Sequence, residues 1–236
     1  MSVSSTSPLS GGSGTFSVAT WNIRSARGSG LAAAAKCLRQ MGVGCCVLTE
    51  TKLTNDRYLK TTLGYRVISS KAMSPQHGGV ALLWEEGHQD FEVEAVTIVS
   101  PNLLKFQLVT GEERYFVMGA YIPPADTTGV DDLRTAWAAR PTNCKPLLLG
   151  DFNINFQNPQ TEQEEIIADF SRRNQRCRHV AQVHSAQGQT TGTWGTVDLA
   201  AAEGGKVVPL PARLCYGQGG GHEGILECGL SSAKVP

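Results

Sequence analysis

Pro146-Leu147-Leu148-Leu149-Gly150-Asp151-Phe152-Asn153 is an unbroken apolar run that ends in two short polar residues around an aromatic one. A run of this length reads as a strand covered on both faces, the kind found inside α/β sheets. Asp151 and Asn153 then stand two residues apart at its C-terminal end, where strand alternation puts them on one side. The same arrangement recurs upstream: Asn22 follows Val18-Ala19-Thr20-Trp21, Glu50 follows Val47-Leu48-Thr49, and Tyr121 ends Val117-Met118-Gly119-Ala120. α/β sheets gather ligand sites at such ends, because loops converge there on a rigid frame. Singly, Asp and Asn after a strand are common turn formers, and a strand-end Tyr is commonly packing. Together, two carboxylates, two amides and a phenol supply hard oxygen ligands for a cation such as Mg²⁺ and anchors for a phosphate.

Further short apolar runs predict strands at Phe16 to Ile23, Cys45 to Leu48, Gly79 to Trp84, Phe91 to Val99, Leu103 to Val109 and Tyr115 to Ile122. Leu31 to Met41, rich in Ala and closed by Gly42, predicts a helix; so does Thr161 to Arg173, where Thr161 and Glu164 have capping-box spacing. Short links from 79 to 122 predict an antiparallel meander, while the helices separate strands that can lie parallel. Phe91-Glu92-Val93-Glu94-Ala95-Val96 alternates apolar with acidic residues and belongs at a sheet edge or surface. Residues 1–14 are mostly Ser, Gly, Thr and Pro and read as a flexible lead-in to a single domain over 15–236. The expected class is α/β, with mixed sheets.

The chain has 236 residues, with 21 Lys plus Arg against 21 Asp plus Glu, so no global basic field draws it to nucleic acid and any such contact is local. No apolar run approaches the roughly 20 residues of a membrane helix, and the start lacks a basic and apolar leader. The expectation is an unsecreted, intracellular protein without membrane partners. Seven Cys without a C-x-x-C read as reduced thiols rather than a disulfide scaffold or zinc cluster. Gly219-x-Gly221-x-x-Gly224 matches a dinucleotide fingerprint but lacks the strand before and the helix after it. His179 and His184, five apart, would lie on different faces of a helix and suit no shared metal.

Thr20-Trp21-Asn22-Ile23-Arg24, Thr49-Glu50-Thr51-Lys52, Gly78-Gly79-Val80-Ala81, Gly119-Ala120-Tyr121-Ile122-Pro123-Pro124 and Gly150-Asp151-Phe152-Asn153-Ile154-Asn155 occur in the order seen in the endonuclease/exonuclease/phosphatase superfamily. The chain most resembles the apurinic-type endonuclease domain of non-LTR retrotransposons, by its Gly-Gly-Val-Ala and Tyr-Ile-Pro-Pro elements. The resemblance runs from about Phe16 to Asn155. It implies a DNase I-like fold, two mixed sheets packed face to face with helices outside, and a Mg²⁺- or Mn²⁺-dependent monomeric enzyme that nicks DNA. The ends left would be 3′-hydroxyl and 5′-phosphate, and a retroelement role implies nuclear action.

Carried over residue by residue, the resemblance gives Glu50, with Asn22, to the metal. Asp151 would orient and deprotonate the attacking water, Asn153 would fix Asp151 or the phosphate, and Tyr121 would donate to a non-bridging oxygen. Asp198, in Val197-Asp198-Leu199, would hold the tautomer of His222, which would stabilise the pentacovalent phosphorus. Gly220 and Gly221 stand where the family's closing motif has Ser and Asp. The same set would serve a phosphatase or phosphodiesterase acting on a small ester. The missing Asp also leaves open a catalytically silent domain that only binds.

Arg172, Arg173, Arg176 and Arg178 place four guanidiniums within seven residues. They are either a solvated face favoured at a helix C-terminus or a phosphate-backbone clamp. If they clamp DNA, replacing Arg172 and Arg176 by Gln weakens binding and flattens the slope of log affinity against log salt by about 0.9 per lost phosphate contact. Binding isotherms at several salt concentrations measure this, and an unchanged slope assigns the four to the solvated face.

Overall fold

β-branched and aromatic runs punctuated by turns become the strands, and two Ala- or Leu-bearing segments between them become helices. The structure is a computed structural model that describes residues 15–55, 57–60, 63–111, 113–124, 126–153, 198–202, 206–211 and 224–231. In chain order the described elements are β1 (Thr15–Asn22), α1 (Gly30–Met41), β2 (Cys45–Thr49), β3 (Arg57–Lys60), β4 (Tyr65–Ser69), β5 (Val80–Glu85) and β6 (Glu92–Ser100). They continue with β7 (Leu103–Thr110), β8 (Glu113–Tyr121), α2 (Thr127–Ala138), β9 (Lys145–Asp151), β10 (Asp198–Ala202), β11 (Lys206–Pro211) and β12 (Gly224–Ser231). Seven strands form one sheet in the order β11-β12-β1-β2-β5-β4-β3, and five form a second in the order β10-β9-β8-β7-β6.

Each sheet contains one parallel pair. β1 runs beside β2 with Asn22 opposite Thr49, and β8 runs beside β9 with Tyr121 opposite Asp151. A parallel pair needs a crossover long enough to carry the chain back, and a helix supplies it each time. α1 bridges β1 to β2 and stops at Gly42, whose φ of 70° allows the left-handed cap. α2 bridges β8 to β9; the Asp126 side chain accepts the Gly129 N–H at its start, and Val130, Leu133, Ala136 and Trp137 line its buried face.

Three apolar layers follow from strand alternation. Val18, Val47 and Leu82 of the first sheet meet Leu104, Val117 and Leu149 of the second. The other face of the first sheet, with Trp21, Leu48 and Leu83, takes Ala34, Ala35 and Leu38 of α1. The other face of the second, with Phe116, Met118 and Leu148, takes α2. The result is an α/β sandwich with a helix on each outer face, as expected. The sheets approach closely at Gly119, where an added Cβ would stand 2.7 and 2.9 Å from the Val47 methyls.

One sequence expectation needs correction, and some elements carry too weak a signal to be expected. Residues 79–122 are not one meander: β5 belongs to the seven-stranded sheet, and only β6, β7 and β8 pair in succession. Strand periodicity reports that a segment is extended, not which sheet receives it. β3 and β4, and the whole of α2, were not expected, because Thr127, Thr128, Gly129, Asp131 and Asp132 dilute the helical signal. β6 does lie at a sheet edge with a wet face. Among the described residues Cys37, Cys45, Cys46 and Cys144 form no disulfide. No helix among the described residues is long and apolar enough to cross a membrane. The lead-in 1–14 and the expected helix over 161–173 lie outside the described residues.

Gly119→Ala forces a methyl into the inter-sheet core and is expected to cost about 1–3 kcal/mol, read as a lower urea midpoint at unchanged slope. An unchanged midpoint would mean that the sheets have room to part. Burial also pushes the Tyr65 phenol and the Cys45 and Cys46 thiols above their ordinary 10.0 and 9.0. The folded chain keeps these protons after the unfolded chain has lost them, so their contribution to stability is complete below pH 9 and shrinks above it. Thermal melts in alkaline buffers should show Tm level up to that point and falling beyond it; a Tm that stays level to about pH 11 would contradict this burial.

Candidate active site

The site is where the inter-sheet layer turns polar at one end. On β1 the row Phe16, Val18, Thr20 ends in Asn22; on β9 Leu147 and Leu149 end in Asp151; on β8 Tyr115, Val117 and Gly119 end in Tyr121. Because both parallel pairs end here, four chain segments from two sheets deliver their last residues to one place. Asn22 and Asp151 are fully buried, and Tyr121 is nearly so.

The Asn22 amide nitrogen donates to Glu50 Oε1 at 3.0 Å and to Asp151 Oδ2 at 2.5 Å. One neutral side chain thus joins carboxylates 101 residues apart in sequence and held by different sheets. The Asn22 oxygen is turned away and accepts the Arg24 N–H at 3.0 Å. Lys52 Nζ lies 3.2 Å from Glu50 Oε2 and offsets part of the repulsion between the two acids. Glu50 also takes a hydrogen bond from the Tyr121 hydroxyl. Burial first, then the charges of Glu50 and Asp151, push the Tyr121 phenol well above its ordinary 10.0, so it stays protonated and able to donate.

Local backbone geometry aims these groups. Among the described residues five non-glycine residues have positive φ, and four of them, Arg24, Glu50, Lys52 and Asn153, lie in the loops at this end. Such conformations cost of order 1–3 kcal/mol each and mark over-determined, functional sites. The Glu50 loop is held by a two-glycine turn before β5: Gly79 O accepts the Thr51 N–H at 3.1 Å and Gly78 O accepts the Lys52 N–H at 3.0 Å. A Cβ on Gly79 would strike Thr51 Oγ1, so the Gly-Gly-Val-Ala element serves the position of Glu50. Thr20, Thr49 and Thr51 bury their hydroxyls here without a hydrogen-bond partner.

Asn153 reaches Asp151 through its backbone: its N–H donates to Asp151 Oδ1 at 3.2 Å, while its side-chain amide donates to the Ile122 carbonyl at 3.1 Å. Alternation did not decide its side chain, because a φ of 48° turns the chain after Asp151. Asp198 sits opposite Asp151 in the β9–β10 ladder, which puts its backbone at the site end. β12 runs antiparallel to β1, Thr20 opposite Leu226, so its start at Gly224 also lies at that end. His222, Arg172, Arg173, Arg176 and Arg178 lie outside the described residues. Sequence reading gave no role to Lys52, although its place two residues after Glu50 signals a charge pair. Nor did it single out Asn102, whose place between strands reads only as a turn.

No family model matches the sequence, and no curated protein matches it. Solved structures do. An AP endonuclease from Archaeoglobus fulgidus is similar at 15% identity and a TM-score of 0.63, over 92% of this chain and 100% of that one. A 3′-5′ exonuclease from Neisseria meningitidis is similar at 13% identity and 0.61, over 90% and 98%. The endonuclease domain of TRAS1, a telomere-specific non-LTR retrotransposon, is similar at 12% identity and 0.61, over 92% and 98%. At such identities the likeness establishes the fold, and this chain has the fold of the endonuclease/exonuclease/phosphatase proteins that its motifs resemble.

Proposed function

We propose that the protein is a Mg²⁺-dependent phosphodiester hydrolase, an endonuclease of the retrotransposon kind that nicks DNA and leaves 3′-hydroxyl and 5′-phosphate ends. The observation that carries this reading is the convergence of Glu50 and Asp151, from different sheets, on the amide nitrogen of Asn22, with the Tyr121 hydroxyl on Glu50. The similar solved proteins are named as endonucleases and an exonuclease, which supports the reaction class. A monomer acting in the nucleus belongs to the same proposal.

The residues present fit a hard divalent cation, because two carboxylates lie together on one shared amide at the polar end of the inter-sheet layer. Glu50 would hold the ion, and Asn22, its oxygen engaged by Arg24, would fix the Glu50 carboxylate. Bound there, Mg²⁺ or Mn²⁺ supplies Lewis-acid polarisation of a phosphoryl oxygen. Asp151, gripped on both oxygens by Asn22 and the Asn153 N–H, accepts the proton of the attacking water. Tyr121, kept protonated, donates to a non-bridging oxygen as charge builds there. By the resemblance, His222 would add an imidazole and Asp198 the carboxylate that orients it.

DNA is favoured over a small phosphate ester by the charge around the site. Exposed Arg24 and Arg27 follow β1, Lys52 follows β2, and exposed Lys71 lies between β4 and β5. Those loops leave the seven-stranded sheet at the end where Asn22 and Glu50 lie, and described segments 122–124 and 152–153 of the facing sheet carry no Lys or Arg. A cationic rim extending along one side suits a polyanion that continues past the scissile bond. A domain that binds DNA without cutting it is the second reading, favoured by Gly220 and Gly221 in the closing motif.

Nicking of supercoiled plasmid tests the proposal. The wild type should relax plasmid with Mg²⁺ and not with EDTA, and a polymerase should extend from the nick. Asp151→Asn should slow nicking by about 10²- to 10⁴-fold and Tyr121→Phe by about 10²- to 10³-fold, each with an unchanged circular dichroism spectrum. Folded wild-type protein that retains DNA but leaves it intact would establish the second reading instead.

A further inference from the structure

Glu50 rides on the seven-stranded sheet, while Tyr121 and Asp151 belong to the five-stranded one, so whatever joins the sheets at this end sets their spacing. Asn102, almost fully buried just before β7, stands at that junction. Its backbone carbonyl accepts the Tyr121 N–H at 2.8 Å, extending the β7–β8 ladder by one step. Its side-chain oxygen crosses to the other sheet and accepts the Gly79 N–H at 3.1 Å. Gly79 and Gly78 in turn hold the Thr51 and Lys52 N–H groups, the two that immediately follow Glu50.

We propose that Asn102 is a positioning residue for phosphodiester cleavage: it ties the loop carrying Glu50 to the strand end carrying Tyr121, and so fixes the gap between the two halves of the site. This rests on the function proposed above. The fit at the junction is close, since a Cβ on Gly78 would stand 2.7 Å from the Asn102 side-chain oxygen. Both glycines have φ above 80°, at 82° and 89°, which lets the turn present its N–H inward to Asn102 and its carbonyls outward to the Glu50 loop. Beside this tether, Ser70 Oγ donates to the Pro101 carbonyl at 2.6 Å and accepts the Val80 N–H at 2.9 Å. The Asn102 amide nitrogen faces Met73 Sδ at 3.6 Å, so of its two polar ends the oxygen is the one that bears on the site.

The test compares Asn102→Ala, which removes the acceptor, with Asn102→Asp, which keeps it. Nicking of plasmid is measured well below Tm, beside amide hydrogen exchange of the full chain. Asn102→Ala should lower kcat by about 10- to 100-fold with KM within about threefold, the signature of misplacement rather than lost binding. The Gly79, Thr51 and Lys52 amides should exchange faster while the β7–β8 amides stay protected. Asn102→Asp should recover kcat to within about fivefold of wild type. An Asn102→Ala protein with wild-type kcat would overturn the positioning role while leaving the endonuclease standing. So would an Asp variant no better than Ala, or protection lost evenly across the chain. A folded wild type that never nicks overturns the endonuclease and the positioning role together.

Discussion

The Asn22 amide nitrogen, shared between Glu50 and Asp151, is the contact on which the remainder of the architecture converges. It closes only if two sheets bring the ends of their parallel strands to one place. That requires α1 and α2 as crossovers, and it requires an inter-sheet layer that stays thin enough for side chains from both sides to touch. Gly119 against Val47 sets the thinness within the core, and Asn102 against Gly79 sets it at the rim. Fold and site are therefore one constraint here: the rows that pack the sandwich are the rows that end in Asn22, Tyr121 and Asp151.

Electrostatics at this end differ from those of the chain as a whole. Equal numbers of acidic and basic residues leave no net charge. Yet two carboxylates gather in the cleft with Lys52 against one of them, and cationic side chains cluster in loops of a single sheet. A like-charge pair with one member buried and the other partly buried is costly unless something compensates it. The shared amide, Lys52 and the Asn153 N–H supply part of the compensation, and strained backbone at Glu50, Lys52 and Asn153 shows that the surrounding structure enforces the arrangement.

Much of this is legible in the sequence. Uninterrupted or alternating apolar runs mark β1, β2 and β5 to β9, and the polar residue closing each parallel strand marks the site, because both signals are local in sequence. What was not legible is non-local. Periodicity assigns Val80–Glu85 to a strand but not to a sheet, and Thr- and Asp-rich α2 is a helix chiefly because β8 and β9 must lie parallel. Asn102 carries no signal of its own: only the approach of Gly79 from the other sheet gives its side chain a task. The sequence points to the Asn153 side chain, whereas the structure sets its N–H on Asp151.

The central claim is that Glu50, held by Asn22 beside Asp151, is the carboxylate of a cation site for phosphoryl chemistry. Calorimetric titration of the purified protein with Mn²⁺, and then with Mg²⁺, tests it without relying on turnover. One stoichiometric site is expected in the wild type, weakened by about tenfold or more in Glu50→Gln with the thermal transition retained. Identical titrations for the two proteins would contradict the account, because the carboxylate that Asn22 and Tyr121 hold in place would then have no ion to bind.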